Sequence, residues 1–195
     1  MAKLPVPLER AHRLLSPGPV LLVTAERRGR ADITPIGWVS SVSIRPPLVA
    51  IAVFEGNFIH ELIRASGEFV LNVPTLDLLR QVQYCGSVSG RDVDKFQATG
   101  LRQGESDVVA APLVEECVAH LECAVVDVVT PGDHGIFIGE IVSAKAEESA
   151  FEDFWTLSQK DLRPLHHLGG VYYGVLEGRI DASGPLEQLR PEDEE

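Results

Sequence analysis

The stretch Cys85 to Phe96, CGSVSGRDVDKF, gathers groups that could hold an anionic ligand. Ser89 and Gly90 can turn backbone N–H groups toward a ligand, and Arg91 and Lys95 add cations. That inventory suits a phosphate or a carbonyl-rich ring. The same residues also suit a helix cap and a solvated charged turn, with Asp92 N-terminal and Lys95 one turn later. A second stretch runs from Asp32 to Pro47. Thr34, Ser40, Ser41 and Ser43 can each donate and accept hydrogen bonds, and Trp38 offers a flat face. These polar residues fall on both faces of an extended segment. Either a ligand or another subunit lies against it, or it is a solvated strand carrying one core tryptophan.

The histidines give weaker signals. His134 sits in the turn GDHG, where an exposed histidine is ordinary. His166 and His167 are adjacent, so on a strand they face opposite sides and cannot share one metal. His60 has no ligating partner at i+4, and none of the three cysteines has C-x-x-C spacing. The pattern therefore supports no metal site. No G-x-S-x-G elbow marks a serine nucleophile, and nothing beyond its location singles out Cys85.

Composition narrows the partners. The chain has 195 residues, a formal charge of −12 and 45% apolar residues. The acidic balance argues against nucleic acid. It also repels small anions at long range, so a bound phosphate must rely on local cations and backbone donors. No apolar run reaches the ~20 residues of a membrane helix, and MAKLPVPLERAHRLL lacks the apolar core of a signal peptide. Three cysteines, an odd number, fit a reducing cytoplasm better than a disulfide framework. A single domain over 1–185 is expected. The acidic stretch 186–195 reads as a frayed tail.

The elements that must position these groups are mostly strands. Val20 to Ala25 has no polar face, as in a strand buried on both sides. ERRGRAD reads as a hairpin turn with Gly29 at positive φ. Pro46 to Phe54 is a second apolar strand. NFIHELIRASG has helical spacing at Phe58, Ile59, Leu62 and Ile63, with Asn57 as cap and Gly67 as stop. EFVLNV is a strand, and TLDLLRQVQY a short helix capped by Thr75. Two long β-rich runs flank TPGDHG. A helix or loop, a Gly-Gly turn and one more strand close the chain. Six or seven strands with small inserted helices, and no βαβ rhythm, predict a mainly β, antiparallel barrel rather than a Rossmann fold.

Four stretches, in order and spacing, carry a resemblance: GRADITPIGWVSSVSIRPPLVAIAV, FIHELIRASGEFVLNVPT, CGSVSGRDVDKF and ECAVVDVVTPGDHGIFIGEIV. Together they resemble the flavin reductase-like family, the FMN-binding split barrels of flavoredoxin type, from about Ser16 to Tyr173. The resemblance implies an antiparallel Greek-key split barrel, a homodimer, and FMN near the subunit interface. Asp32 falls where relatives often carry an asparagine near the flavin. Trp38 matches a tryptophan that packs by the cofactor. Ser40, Ser41, Val42 and Ser43 match the strand that lines ring and phosphate, and Thr34 joins them as a phosphate ligand. Lys95 of the DKF motif and His134 of the GDH turn match flavin contacts, with Lys95 as the expected cation near the ring's N1–C2=O edge. His167 falls near an aromatic ring contact. Ile59 stands where relatives often carry a phosphate-binding threonine, so Asn57, His60 or a backbone N–H from the helix start would have to replace it.

The implied activity is NAD(P)H-dependent flavin reduction, with NADH or NADPH as reductant and a monooxygenase or electron-transfer protein as partner. The flavin carries the redox chemistry, so no catalytic side chain is expected. A non-enzymatic FMN electron carrier and a cofactor-free dimeric barrel are the alternatives.

Overall fold

The computed structural model describes residues 4–181. The expected tail at 186–195 lies outside the described residues, as does the end of the expected domain beyond residue 181. Among the described residues the chain forms an opening 3-10 helix, Leu8–Leu15, twelve strands and three α-helices. The first hairpin pairs β2 (Leu21–Arg27) with β3 (Arg30–Ile36), after a two-residue β1 (Gly18–Pro19). Its turn places Arg28 at φ 55 and Gly29 at φ 77. Two left-handed residues give the turn the twist of its flanking strands. β2 lacks a polar face because it serves two cores. Leu21, Val23 and Ala25 enter one apolar cluster, whereas Val20 and Leu22 enter another. This is the period-2 alternation of a strand covered on both sides.

β4 (Val39–Ser43) and β5 (Leu48–Phe54) follow. On β5, Val49, Ile51 and Val53 are buried, and the small residues Ala50 and Ala52 on the other face are half-covered. Helix α1 (Phe58–Ser66) buries Phe58, Ile59, Leu62 and Ile63 and stops at Gly67, φ 75. β6 (Glu68–Val73) leads through a 3-10 turn into α2 (Leu79–Ser87). Helix α3 (Lys95–Thr99) is short, and the Asp94 carboxylate caps it by accepting from the Gln97 N–H at 3.0 Å. The cap is therefore Asp94 and not Asp92. Asn57 stands at the N-cap of α1 but makes no capping bond; Thr75 precedes only the 3-10 turn Leu76–Leu78, also without a capping bond, and α2 starts after Leu78 rather than at Thr75.

After β7 (Gln103–Gly104) and β8 (Leu113–Val114) come β9 (Ala119–Val129) and β10 (His134–Ala146), the long hairpin expected around TPGD. Register shifts between Ile138 and Gly139, and between Ile141 and Ser143, bend β10. A side chain at Gly139 would start 2.7 Å from the Phe69 ring, so glycine lets the bent strand close over that phenylalanine. Two strands, not one, end the described fold: β11 (Leu165–Gly169) and β12 (Tyr172–Val175) flank the Gly-Gly turn.

The main sheet has seven strands in the order β3-β2-β6-β9-β10-β5-β4, and all its pairings are antiparallel. It curls as a Greek-key split barrel around the first apolar cluster, with Phe69, Phe137, Ile51 and Ile63 at full burial. Each such side chain contributes ~1.5–3 kcal/mol. Helices α2 and α3 seal the outer face of β2 and β3 through Val82, Cys85 and Phe96. Where β3, β5, α1, α2 and the β9–β10 turn meet, a cleft remains.

Candidate functional site

The cleft is bent, with two arms that share Pro35, Asn57 and Gly86. The wide arm has a volume of about 320 Å³ and the narrow arm about 260 Å³. At the bend, a side chain on Gly86 would start 2.9 Å from the Pro35 ring, so glycine lets α2 approach β3.

Rings dominate the wide arm. Trp38 is 49% exposed at the β3–β4 junction and lies 4.7 Å from His134, centroid to centroid. Phe54 at the end of β5 lies 5.6 Å from the same imidazole. The Asp133 carboxylate, 2.6 Å from His134 Nδ1, fixes the orientation of that ring. This hydrogen bond is the main reason the Asp133 pKa is lowered. Across the arm, His167 packs 5.1 Å from Tyr173, whose hydroxyl donates to Gln83 Oε1 at 3.0 Å. The arm thus offers flat apolar faces with polar groups at their edges.

Polar groups dominate the narrow arm. Thr34, the loop Ser87–Gly90 and the start of α1 form its walls. The first N–H groups of α1 have no intrahelical acceptor, so they favour an anion. Asn57 adds a carboxamide that makes no capping bond and stands where the two arms meet. Beneath this arm lies an ion pair. Lys95, 4% exposed, donates to Ile33 O at 2.8 Å and Thr34 Oγ1 at 3.0 Å, and lies 3.3 Å from Asp32 Oδ1. Asp32 is 2% exposed and its Oδ2 has no partner among the described residues. Burial raises the Asp32 pKa; Lys95, the Ile33 amide and Thr34 oppose the rise without cancelling it. A side chain at Gly90 would start 2.3 Å from Asp32 Oδ1, so only glycine lets the loop lie on the carboxylate. Burial pushes the neighbouring Cys85 thiol up to about 11, which keeps it from serving as a thiolate nucleophile.

Comparison with known proteins decides the family. The Flavin reductase like domain matches residues 13–175. The chain belongs to this family. An uncharacterized protein of Escherichia coli, YddH, is 37% identical over 184 residues, covering 92% of this chain and 97% of its own. A flavin reductase of Pseudomonas putida is 31% identical over 137 residues, 69% of this chain and 77% of its own. The crystal structure of flavoredoxin from Methanosarcina acetivorans superposes with a TM-score of 0.82 at 28% identity, covering 94% of this chain and 96% of that one.

A flavin reductase-like chain calls for a flavin, and the cleft can be tested against one. A tricyclic ring needs flat walls with polar edges, and its side chain needs donors at the far end. The wide and narrow arms meet both needs, so the residues fit. Of the residues singled out by sequence, Trp38, His134 and His167 come together in the wide arm, and Thr34, Ser89 and Lys95 in the narrow one, with Asn57 between. Asp32 lies beneath the narrow arm and does not line it. Lys95 lines it, but its ammonium is engaged by three protein oxygens, so it orders Thr34 rather than offering a free cation.

Other expected residues lie elsewhere. Ser40 and Ser41 line an apolar hollow of about 750 Å³ that shares no residue with either arm. Ser40 also lines a hollow that adjoins the wide arm through Trp38 and His167. Val42 and Ser43 continue along the sheet edge and line neither arm. His60 lines neither arm: it is buried 5.0 Å from the Phe137 ring, because it shares the core-facing side of α1. Ile59 is likewise fully buried in the core. Arg91 lies outside the narrow arm, against α1. Sequence reasoning passed over Phe54, Gln83, Gly86 and Tyr173. Gly86 carried a signal, since a glycine within a helical run often marks a close approach.

Proposed function

We propose that this chain binds FMN in the bent cleft and acts as an NAD(P)H-dependent flavin reductase. The ring would occupy the arm lined by Trp38, Phe54 and His134, and the phosphate the arm lined by Thr34, Ser89 and the start of α1. The observation that carries this reading is Asn57. An asparagine at an N-cap normally spends its side chain on the helix; here the carboxamide is unspent and stands at the bend, where the ribityl chain of a flavin mononucleotide would pass.

When bound, the flavin supplies hydride acceptance and electron transfer. The protein's own residues orient and shield. Trp38 and Phe54 would wall the flat ring of the cofactor. Asp133 holds His134 in one orientation beside them. The Tyr173–Gln83 bond ties β12 to α2 and fixes the far wall. Thr34, which accepts from Lys95, is held facing the narrow arm. A nicotinamide would have to stack on the exposed side of the ring, which would turn an encounter into a unimolecular step.

The chain would work as a homodimer in the cytoplasm, passing reducing equivalents to a monooxygenase or an electron-transfer protein. The edge strand β4 supports the dimer, since half-exposed Val42 and the exposed Ile44 beside it form an apolar margin. A second reading, an FMN electron carrier without nicotinamide turnover, draws on the similarity to flavoredoxin. One experiment separates the readings. The purified protein, reconstituted with FMN, is followed by visible absorption during anaerobic addition of NADH and then NADPH. Bleaching with turnover supports the reductase. Flavin bands that dithionite bleaches and neither nucleotide does support the carrier. Failure to take up FMN sinks both.

A further inference from the structure

Two arginines hold the residues Gly56, Phe58 and Gly90 that wall the narrow arm. Arg30, at the start of β3, stacks on Phe58 with its guanidinium carbon 4.4 Å from the ring centroid. Its Nη2 donates to Gly90 O at 2.9 Å and Arg91 O at 3.0 Å, pinning the loop. Arg91 reaches back from that loop to α1: Nη1 donates to Gly56 O at 2.8 Å and Nη2 pairs with Glu61 at 2.5 Å. Its guanidinium carbon is 5.7 Å from the same Phe58 ring. β3, the loop and α1 are therefore strapped together over one phenylalanine. Arg91, bonded to both Gly56 and Glu61, ties the loop that walls the narrow arm to the start of α1.

A second polar hollow, of about 330 Å³, lies past this strap and shares Gly90 with the narrow arm. Carboxylates of Glu26, Asp92 and Asp94 line it. Arg30 and Arg91 line it as well; Arg91 is already paired with Glu61, so three carboxylates face one uncommitted positive charge.

We propose that this strap makes the site selective for a flavin mononucleotide over a flavin dinucleotide. This inference rests on the flavin reading above. A terminal phosphate stops short of Arg91, whereas a second phosphate and an adenosine must pass it. That passage breaks the Arg91 bonds to Gly56 and Glu61 and brings a diphosphate into a hollow where carboxylates outnumber arginines, three to two. Selectivity thus comes from a cost imposed on the larger ligand and not from extra attraction for the smaller one.

The test titrates flavin-free protein with FMN, FAD and riboflavin, following quenching of flavin fluorescence. The wild type binds FMN at least about tenfold more tightly than FAD. Arg91→Ala narrows that ratio several-fold, Glu61→Ala narrows it less, and riboflavin affinity is unchanged in both. Arg91 and Glu61 are exposed enough that neither variant threatens folding, which circular dichroism checks. Equal wild-type affinity for FMN and FAD overturns the inference and leaves the flavin reading standing. So does a ratio that neither variant moves. If the wild type takes none of the three flavins, the flavin reading itself fails and the inference falls with it.

Discussion

Asp32 and Glu122 are carboxylates of nearly equal burial, 2% and 1% exposed, in different parts of the molecule. Glu122, on β9, accepts from three backbone N–H groups: Asp107 at 2.8 Å, Val108 at 2.7 Å and Val109 at 3.1 Å. Burial works to raise its pKa, but the three donors outweigh burial and the net shift is downward. Asp32 has one buried cation beside it and one oxygen without a partner, and its net shift is upward. The same group at the same depth is satisfied where it rivets a loop and left incomplete where it underlies the cleft. Buried polar groups are normally paired. An orphan oxygen beside the narrow arm marks the place where the fold serves something other than its own stability.

The largest expected effect strikes the Asp32 side. Lys95→Met removes the cation paired with a buried carboxylate and should cost about 3–5 kcal/mol. Glu122→Gln keeps an oxygen but loses the charge that holds three donors, and should cost about 1.5–3 kcal/mol. Denaturant unfolding of both variants ranks them. Adding Asp32→Asn to Lys95→Met should recover most of the loss, because a neutral pair no longer strands a charge. A Lys95→Met protein as stable as the wild type would show that the pair is wet, and the contrast with Glu122 would be lost.

The same contrast explains what the sequence could reveal. Gly29, Gly67 and TPGD announce local geometry through residues with special backbone freedom, and the structure follows them. Facing residues announce themselves less. DKF flags Lys95 as important, yet nothing local indicates that its ammonium turns inward to Ile33 O and Thr34, because those partners lie about sixty positions away. His60 was legible in principle. It stands beside the arc that Phe58, Ile59, Leu62 and Ile63 mark as the buried side of α1, about one turn from Ile63 and next to exposed Arg64. Gln83 and Tyr173 were not legible, since their bond depends on how α2 and β12 meet. Asp94 rather than Asp92 caps α3 because the helix begins at Lys95, a boundary that short polar runs leave open.

Acidity sharpens the comparison, because the two shifts have opposite signs. The folded pKa of Asp32 lies above its ordinary value of 3.8. The folded state therefore keeps that proton where the unfolded state has lost it, and stability falls as pH rises from 3.8 through the raised value. The folded pKa of Glu122 lies below its ordinary value of 4.5, so its contribution is present above 4.5 and is lost as pH falls. Unfolding free energies compared at about pH 6 and about pH 4 should show a steeper acid loss in Asp32→Asn than in the wild type, and a shallower one in Glu122→Gln. Parallel slopes in all three proteins would mean that the two carboxylates sit in equivalent environments.

The smallest effect tests the same idea on a neutral group. Asn57 occupies a capping position, and an asparagine that caps loses about 1 kcal/mol of stability when cut to alanine. Here its carboxamide makes no bond to the helix. Asn57→Ala should therefore leave the unfolding midpoint unchanged and weaken FMN binding about fivefold, the worth of one hydrogen bond to a bound ligand. Riboflavin should weaken equally if the carboxamide meets the ribityl chain, and not at all if it meets the phosphate. A stability loss of about 1 kcal/mol with unchanged FMN affinity would make Asn57 an ordinary cap. The cleft would then lack the unspent group that distinguishes it from the satisfied pocket around Glu122, and the step from polar incompleteness to ligand binding would rest on Asp32 alone.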